Sequence, residues 1–485
     1  MDFSIINHSF RFTLILFAIV NYPVYAGLTL TAEQVLQRVL QSQPSLEVAL
    51  LQVERARLEI PAVNSQLGWV LNGQAGTSRE LSFTGTSLNR IDVGAGIQRK
   101  LSSGSTVGVD TSYSREDSEI PFFASYPNPA NTTKLDFNYR TPLGQGSANP
   151  GYQHELISAE ASTTIAIAEG KKLRDQLSIQ ALNLFYSGAL TIARMKNAEA
   201  AIDRSRRLRK FIEKNIYLGV NEKKDRLQID ALLHGAEADL KSLRVTWEQQ
   251  RTALNRLIGQ PWQVDFTPDL GDLPEVDDEI DKIMEQVLEN SHDLAIETAR
   301  LEITEAYINR NRDQQRNKLD LVFSVGGRNI NGGAAIGNVN LSDYAGGLRL
   351  EFSRALNRQG VDARLNQAQL DRSIALKQIQ DIKMALDYQV NGLLSEISAT
   401  KAALTDSETR LASEKNKYKE GNSRYRTGRT DISELIQFEN DLRLAQLGVD
   451  IKRIELIGKH AEVELLRGSR WSEIEAPVDR KKKNK

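Results

Sequence analysis

The chain has 485 residues, is 40% hydrophobic and 26% charged, and carries a formal charge of -1. That balance excludes a disordered chain and an electrostatic binder of nucleic acid. The absence of cysteine excludes disulfides, thiolate metal sites, a catalytic thiol and an acylated N-terminal cysteine.

In chain order, Arg11 precedes the apolar run Phe12 to Val20, and Val24-Tyr25-Ala26 has the form of a signal-peptidase site. Residues 1–26 therefore read as a cleaved signal peptide, with the mature chain starting near Gly27. The run is about nine residues long, where a spanning helix needs about 20, and no later apolar segment is long enough. If the chain enters a membrane, it must do so as strands closing into a barrel.

Ala32 to Gln66 reads as a helix, and alternation follows it. Trp69, Leu71, Gly73 and Ala75 form one period-two series, then Ile91, Val93, Ala95 and Ile97, then Val107, Val109, Thr111 and Tyr113. Leu135, Phe137 and Tyr139 form a fourth, alternating with Asp136, Asn138 and Arg140. Four half-buried strands are predicted, two of them joined by a turn at Leu101-Ser102-Ser103-Gly104. Gly144-Gln145-Gly146 to Gly151 superficially has the look of a dinucleotide loop, but it lacks the correctly spaced third glycine and reads as a strand-to-helix turn.

From about Gln153 to Tyr217 the chain runs without proline, with Leu177, Ala181, Leu184, Gly188, Ile192, Met195, Ala198 and Ile202 in steps of three and four. At about 1.5 Å per residue this predicts a helix roughly 100 Å long. Lys224 to Leu257 is a shorter helix. The pattern then recurs: helix from Glu279 to Arg316, strands around Leu319, Leu321, Phe323 and Val325 and around Tyr344, Leu348, Leu350 and Phe352, a long helix from about Asn357 to Arg424, and a shorter one from Asp431 to Leu466.

The recurrence is a duplication. Val35, Val39, Leu40, Leu46 and Val48 match Ile283, Val287, Leu288, Leu294 and Ile296 at one constant shift. Gly219, Asp225, Ala236, Leu257 and Gly259 match Gly428, Glu434, Ala445, Leu466 and Gly468 at a smaller one. The difference places an additional hairpin in the first copy. Copies of this length suit a duplicated supersecondary unit rather than a solenoid. The division is a first repeat over 27–268, a second over 269–470, and a polar basic tail over 471–485. The helices alone fit a soluble coiled coil equally well, and the amphipathic strands decide for a membrane barrel. Six strands per chain require several chains to close it.

A signal peptide, two copies of short helix, strands, long helix, turn and short helix, and no cysteine together make this chain similar to the TolC-like outer membrane efflux proteins. Its most specific marks are the turns Tyr217-Leu218-Gly219-Val220, followed by Asp225, and Tyr425-Arg426-Thr427-Gly428-Arg429, followed by Glu434. The resemblance implies an α+β fold: a trimeric outer-membrane β-barrel continuous with a long periplasmic α-helical coiled-coil barrel in a Gram-negative bacterium. It implies a homotrimer in outer-membrane lipid that passively conducts substrate from an inner-membrane RND or ABC transporter and a periplasmic adaptor (membrane fusion) protein. It further implies that Asp225 and Glu434 ring the periplasmic gate and set selectivity, that Tyr425 is a gating tyrosine, and that Leu218, Gly219, Val220, Thr427, Gly428 and Arg429 meet the adaptor. Thr430 stands where family members carry arginine, and Gln437 where they carry a second carboxylate.

No catalytic residue, cofactor or metal site is read from the sequence. His8, His154, His234, His292 and His460 lack ligand spacing and read as solvated helix residues. Arg480 to Lys485 reads as a solvated tail. Two alternatives stay open: a type I secretion duct for a polypeptide, and a periplasmic coiled-coil scaffold without a pore. The barrel can be wider than twelve strands, or the additional hairpin can lie outside it.

Overall fold

The computed structural model describes residues 28–81, 85–120, 123–219, 222–273 and 280–468. The expected signal peptide, the basic tail and Val220 lie outside these residues. The chain forms two compact units. One comprises residues 43–179, 275–399 and the chain beyond 458, and the other comprises residues up to 42, 180–274 and 400–458.

The first unit holds one antiparallel sheet. Its strands are β2 (Trp69–Leu81), β3 (Ser87–Lys100), β4 (Thr106–Ser118), β5 (Ala130–Pro142), β7 (Lys318–Ala334) and β8 (Gly337–Ser353), in the order β2-β3-β4-β5-β7-β8. The β3–β4 turn falls where the sequence places it. Leu101 N–H donates to Ser105 O at 2.8 Å, and Gly104, at φ 87°, donates to Leu101 O at 2.9 Å. The strands run to 13–17 residues, longer than the apolar alternation alone indicates. Paired polar residues such as Asn329, Asn331, Asn340 and Ser342 continue the ladder beyond the apolar rows.

Pairing register aligns the faces. Leu71, Ile97, Val109, Phe137 and Val325 form one cross-strand row, and Trp69, Arg99, Val107, Tyr139, Phe323 and Leu348 form the next on the same face. Between the rows of Arg99 and Arg115 this face carries no charged residue. The interval is about 27 Å along the strand, the scale of an apolar outer-membrane band once strands tilt. Over the same interval the opposite face carries Asp92, Asp110, Lys134, Asp136, Arg328 and Asp343.

Asp110 and Asp136 are directly paired across strands, an unfavourable placement for like charges. Each carboxylate leans away from the other, over Gly96 and Gly326, where a Cβ would collide with it. Lower on this face Arg140 bridges the strands, reaching buried Asp320 at 3.1 Å and Glu351 at 2.8 Å.

The long helices are α3 (Pro150–Tyr217) and α7 (Gln359–Arg426), of 68 residues each. The short ones after them are α4 (Lys223–Leu257) and α8 (Ile432–Arg467). The helices that open each half differ from expectation. Ala32 to Gln66 is broken into α1 (Ala32–Ser42) and α2 (Pro44–Asn64), and Glu279 to Arg316 into α5 (Ile280–Asn290) and α6 (His292–Gln314). Pro44 holds the preceding Gln43 extended, at φ −86° and ψ 114°. Ser291 is extended too, and its hydroxyl caps α6 by accepting from Leu294 N–H. A two-strand parallel sheet, β1 (Leu28–Thr31) with β6 (Phe266–Asp269), was not foreseen, because four-residue strands are too short to show a period.

Glycine marks the ends of α4 and α8 for a packing reason as well as a conformational one. Gly259 and Gly468 have φ 67° and 68° and lie against Ser42 and Asn290 respectively. Ser42 Oγ donates to Leu257 O, and Asn290 Nδ2 to Arg467 O, so each helix end is satisfied by the helix that opens its half.

In the second unit α7 and α8 meet at Gly421, which packs on the ring of Phe438 with no room for a Cβ. Gly421→Ala is expected to push the helices apart at a cost of about 1–3 kcal/mol. Faster amide exchange around residues 418–440 is the measurement, and unchanged protection would refute the contact.

Candidate functional site: the paired hairpin turns

Each turn follows from helix-end chemistry. Gly219 ends α3 at φ 73°, its N–H donating to Ile216 O at 3.0 Å. Gly428 ends α7 at φ 72°, donating to Tyr425 O at 3.0 Å, while Arg429 N–H donates to Arg424 O at 2.9 Å. This pair of bonds is a Schellman closure, and it needs the left-handed conformation that glycine adopts without a Cβ clash. The Thr427 hydroxyl also donates to Arg424 O, at 3.0 Å.

The carboxylates expected as one ring have unlike surroundings. Asp225 is only 7% exposed and belongs to a capping box with Glu222, accepting from Glu222 N–H at 3.1 Å. Glu434 is exposed and accepts from the Thr430 hydroxyl. Asp431 accepts from Ile432 N–H and Ser433 Oγ, and these bonds hold its carboxyl below the usual range. Thr430 thus has a local use, since its hydroxyl holds the Glu434 carboxylate.

Tyr425 is buried, not at the surface. It packs with Ile212, Ile229, Ile432 and Leu435, and its ring meets Phe211 edge-on at 6.0 Å. This cluster draws on α3, α4, α7 and α8, so it joins the two hairpins. Tyr217 and Leu218 are left outside it, 91% and 60% exposed. Thr427, Gly428 and Arg429 are exposed as well.

Sequence reasoning missed the polar clasp beside this cluster. Arg204 Nε lies 2.7 and 2.8 Å from the two Glu439 carboxylate oxygens, with side chains 17% and 7% exposed. Asn197 Nδ2 donates to Arg443 O at 2.9 Å, again linking α3 to α8. The signal was present: Ile432, Leu435, Glu439, Leu442 and Ala445 are all buried, so Glu439 occupies a place in an apolar helical stripe. Burial pushes the Glu439 carboxyl up, with Arg204 opposing, and also raises the Tyr418 hydroxyl nearby.

Two histidines depart from the solvated reading. His460 is buried because the stripe of α8 through Leu456, Ile457 and Val463 passes through it. His292 Nε2 lies 2.7 Å from Asp175. Burial holds the His154 ring below its usual pKa. Among the described residues no cluster of three or more His, Cys, Asp or Glu could hold a metal ion, and no helix is long and apolar enough to cross a membrane. Gly144 to Gly146 is the strand-to-helix turn, with Gly146 N–H donating to Asp313 at 2.8 Å.

A two-faced antiparallel sheet, 68-residue helices and short helices returning from paired glycine turns define the fold class of the outer-membrane channels. No protein-family model and no curated protein matches the sequence. Solved structures do. The outer-membrane channel OprN superposes with TM-score 0.65 at 18% identity, over 91% of this chain and 90% of its own. The outer membrane protein VceC from Vibrio cholerae gives 0.63 at 14% identity, over 90% and 96%. The CmeC outer membrane channel of Campylobacter jejuni gives 0.60 at 14%, over 90% and 85%. The chain therefore has the TolC-like outer-membrane channel fold, as the sequence resemblance implied, and its neighbours are channel proteins, not enzymes.

Proposed function

We propose that this protein is the outer-membrane exit duct of a tripartite transport system, conducting substrate passively while an inner-membrane RND or ABC pump supplies the energy. The carrying observation is the two-faced sheet that ends in β2 and β8 without closing on itself. In lipid every backbone polar group needs a partner, and only a closed barrel satisfies strands. Six strands from one chain therefore call for further copies, and the homotrimer that the sequence resemblance implies is the assembly we adopt.

The additional hairpin lies inside the strand order, between β2 and β5, which supports the barrel wider than twelve strands. A pore-free scaffold has no use for a charge-free band on one face and six charged residues on the other. The helical part lies in the periplasm of a Gram-negative cell in this reading, and a periplasmic adaptor meets the hairpin turns at Leu218, Gly219, Val220, Thr427, Gly428 and Arg429.

At the gate, Glu434 is the exposed carboxylate that faces permeating ions, and Tyr425 is the wedge that keeps the hairpins together. The duct is tested in planar bilayers. Steady ion conductance with a cation preference is expected, and Glu434→Gln should shift the reversal potential in a salt gradient toward zero. Asp225→Ala should act instead on stability, by about 0.5–2 kcal/mol, because it removes the acceptor of the capping box. Recovery of the protein as a soluble monomer would sink the duct reading, and an unmoved reversal potential would sink the role of Glu434.

A further inference from the structure

The chain as a whole is almost neutral, but its hairpin-turn end is not. Residues 203–226, across the first turn, hold nine Lys and Arg against four Asp and Glu, and the matched residues 412–435 hold six against four. Six of these eight acids are already engaged. Glu213 pairs with Arg209, Glu222 with Lys224, Glu420 with Arg424 and Glu414 with Lys417, while Asp225 and Asp431 accept from the starts of their own helices.

Eight exposed cations form no ion pair among the described residues: Arg207, Lys210, Lys214 and Lys223 on the first hairpin, and Lys415, Lys419, Arg426 and Arg429 on the second. Both hairpins meet at the Tyr425 cluster, so these cations belong to one end of one unit. Beside them Tyr217 stands almost fully in water, and Leu218 is more than half exposed. An exposed aromatic and aliphatic pair among polar, charged neighbours is the arrangement of an interface rather than of a free surface.

We propose that the hairpin-turn end is a basic docking collar that recognises an acidic polypeptide surface, with Tyr217 and Leu218 as its apolar anchor. The inference rests on the duct reading, in which a partner meets these turns, and it specifies the chemistry of that partner: carboxylate-rich, with apolar residues among the acids. Unpaired lysines raised on a neutral body steer an acidic partner toward this end over distances comparable with the Debye length, so association weakens as salt rises. The apolar pair then supplies contact that salt does not screen. A bare anion would use the lysines and leave Tyr217 and Leu218 exposed.

The test uses the full chain in lipid nanodiscs and a fluorescent random copolymer of glutamate and tyrosine as probe. Binding is expected, weakening steeply with salt, and falling about tenfold or more when Lys210, Lys214, Lys415 and Lys419 are all changed to Gln. Polylysine should not bind. Absent binding, or binding unchanged in the variant, overturns the proposal. So does tighter capture of phosphatidylglycerol vesicles than of the copolymer, which would assign the collar to a lipid surface. Conductance of the same variant in planar bilayers reports on the duct independently, so a conducting protein that fails to bind the copolymer refutes the collar alone.

Discussion

Phe137→Arg is expected to abolish assembly in the outer membrane, while the same change one residue on, Asn138→Arg, leaves assembly intact. The two residues share a strand and point to opposite faces. Phe137 lies between Val109 and Val325 in the charge-free band, its ring 6.4 Å from that of Phe323. Asn138 lies between Gly108 and Ser324 on the charged face, bonded to Asp110 at 2.9 Å. An arginine facing lipid near the midplane costs about 2–4 kcal/mol, and every copy in the barrel incurs it. On the polar face the guanidinium reaches water and two nearby aspartates. The yield of heat-resistant oligomer in the outer-membrane fraction is the readout. Equal loss from both variants would mean that the faces are misassigned.

Arg204→Ala is expected to loosen the hairpin-turn end severely, by about 3–5 kcal/mol, because it leaves Glu439 charged and buried without a partner. Arg204→Met combined with Glu439→Leu should recover most of that loss, since an apolar pair of similar volume needs no compensation. Amide exchange over residues 197–216 and 428–446 measures both, and a double variant as labile as the single one would show that the pair is not the source.

The clasp also has a pH signature. Folding raises the Glu439 carboxyl through burial. A raised carboxyl contributes stability that is complete below its unfolded pKa and is lost as pH rises through the folded value. Protection of these segments should therefore decline with rising pH over that window, and Glu439→Gln should remove the decline.

Much of this arrangement was legible in the chain. Three-four spacing announced α3 and the duplication carried it to α7, each to within a few residues, and alternation located all six strands of the sheet, because both periods are repeated many times over. Where the repeat was short, reading failed. The β1 and β6 strands offered four residues each, and the breaks at Gln43 and Ser291 hinge on one proline and one hydroxyl.

Site residues divide in the same way. Gly219 and Gly428 were identifiable because a left-handed helix end restricts the choice of residue locally. Asp225 and Glu434 look equivalent by spacing, yet one is shut into a capping box and the other is held by Thr430 in the open. Tyr425 carries nothing in its own neighbourhood to say that Phe211 will cover it.

Element type, strand face, helix-end glycine and the basic runs around both turns depend on neighbours along the chain and can be read from it. Contacts that depend on which elements meet appear only once the chain is folded. Arg204 finds Glu439 only when α3 lies beside α8, and Asp110 faces Asp136 only in one register of β4 on β5. The reason is physical: periodicity is a property of backbone geometry and repeats residue by residue, whereas a buried ion pair or a covered tyrosine is created by two distant segments arriving together.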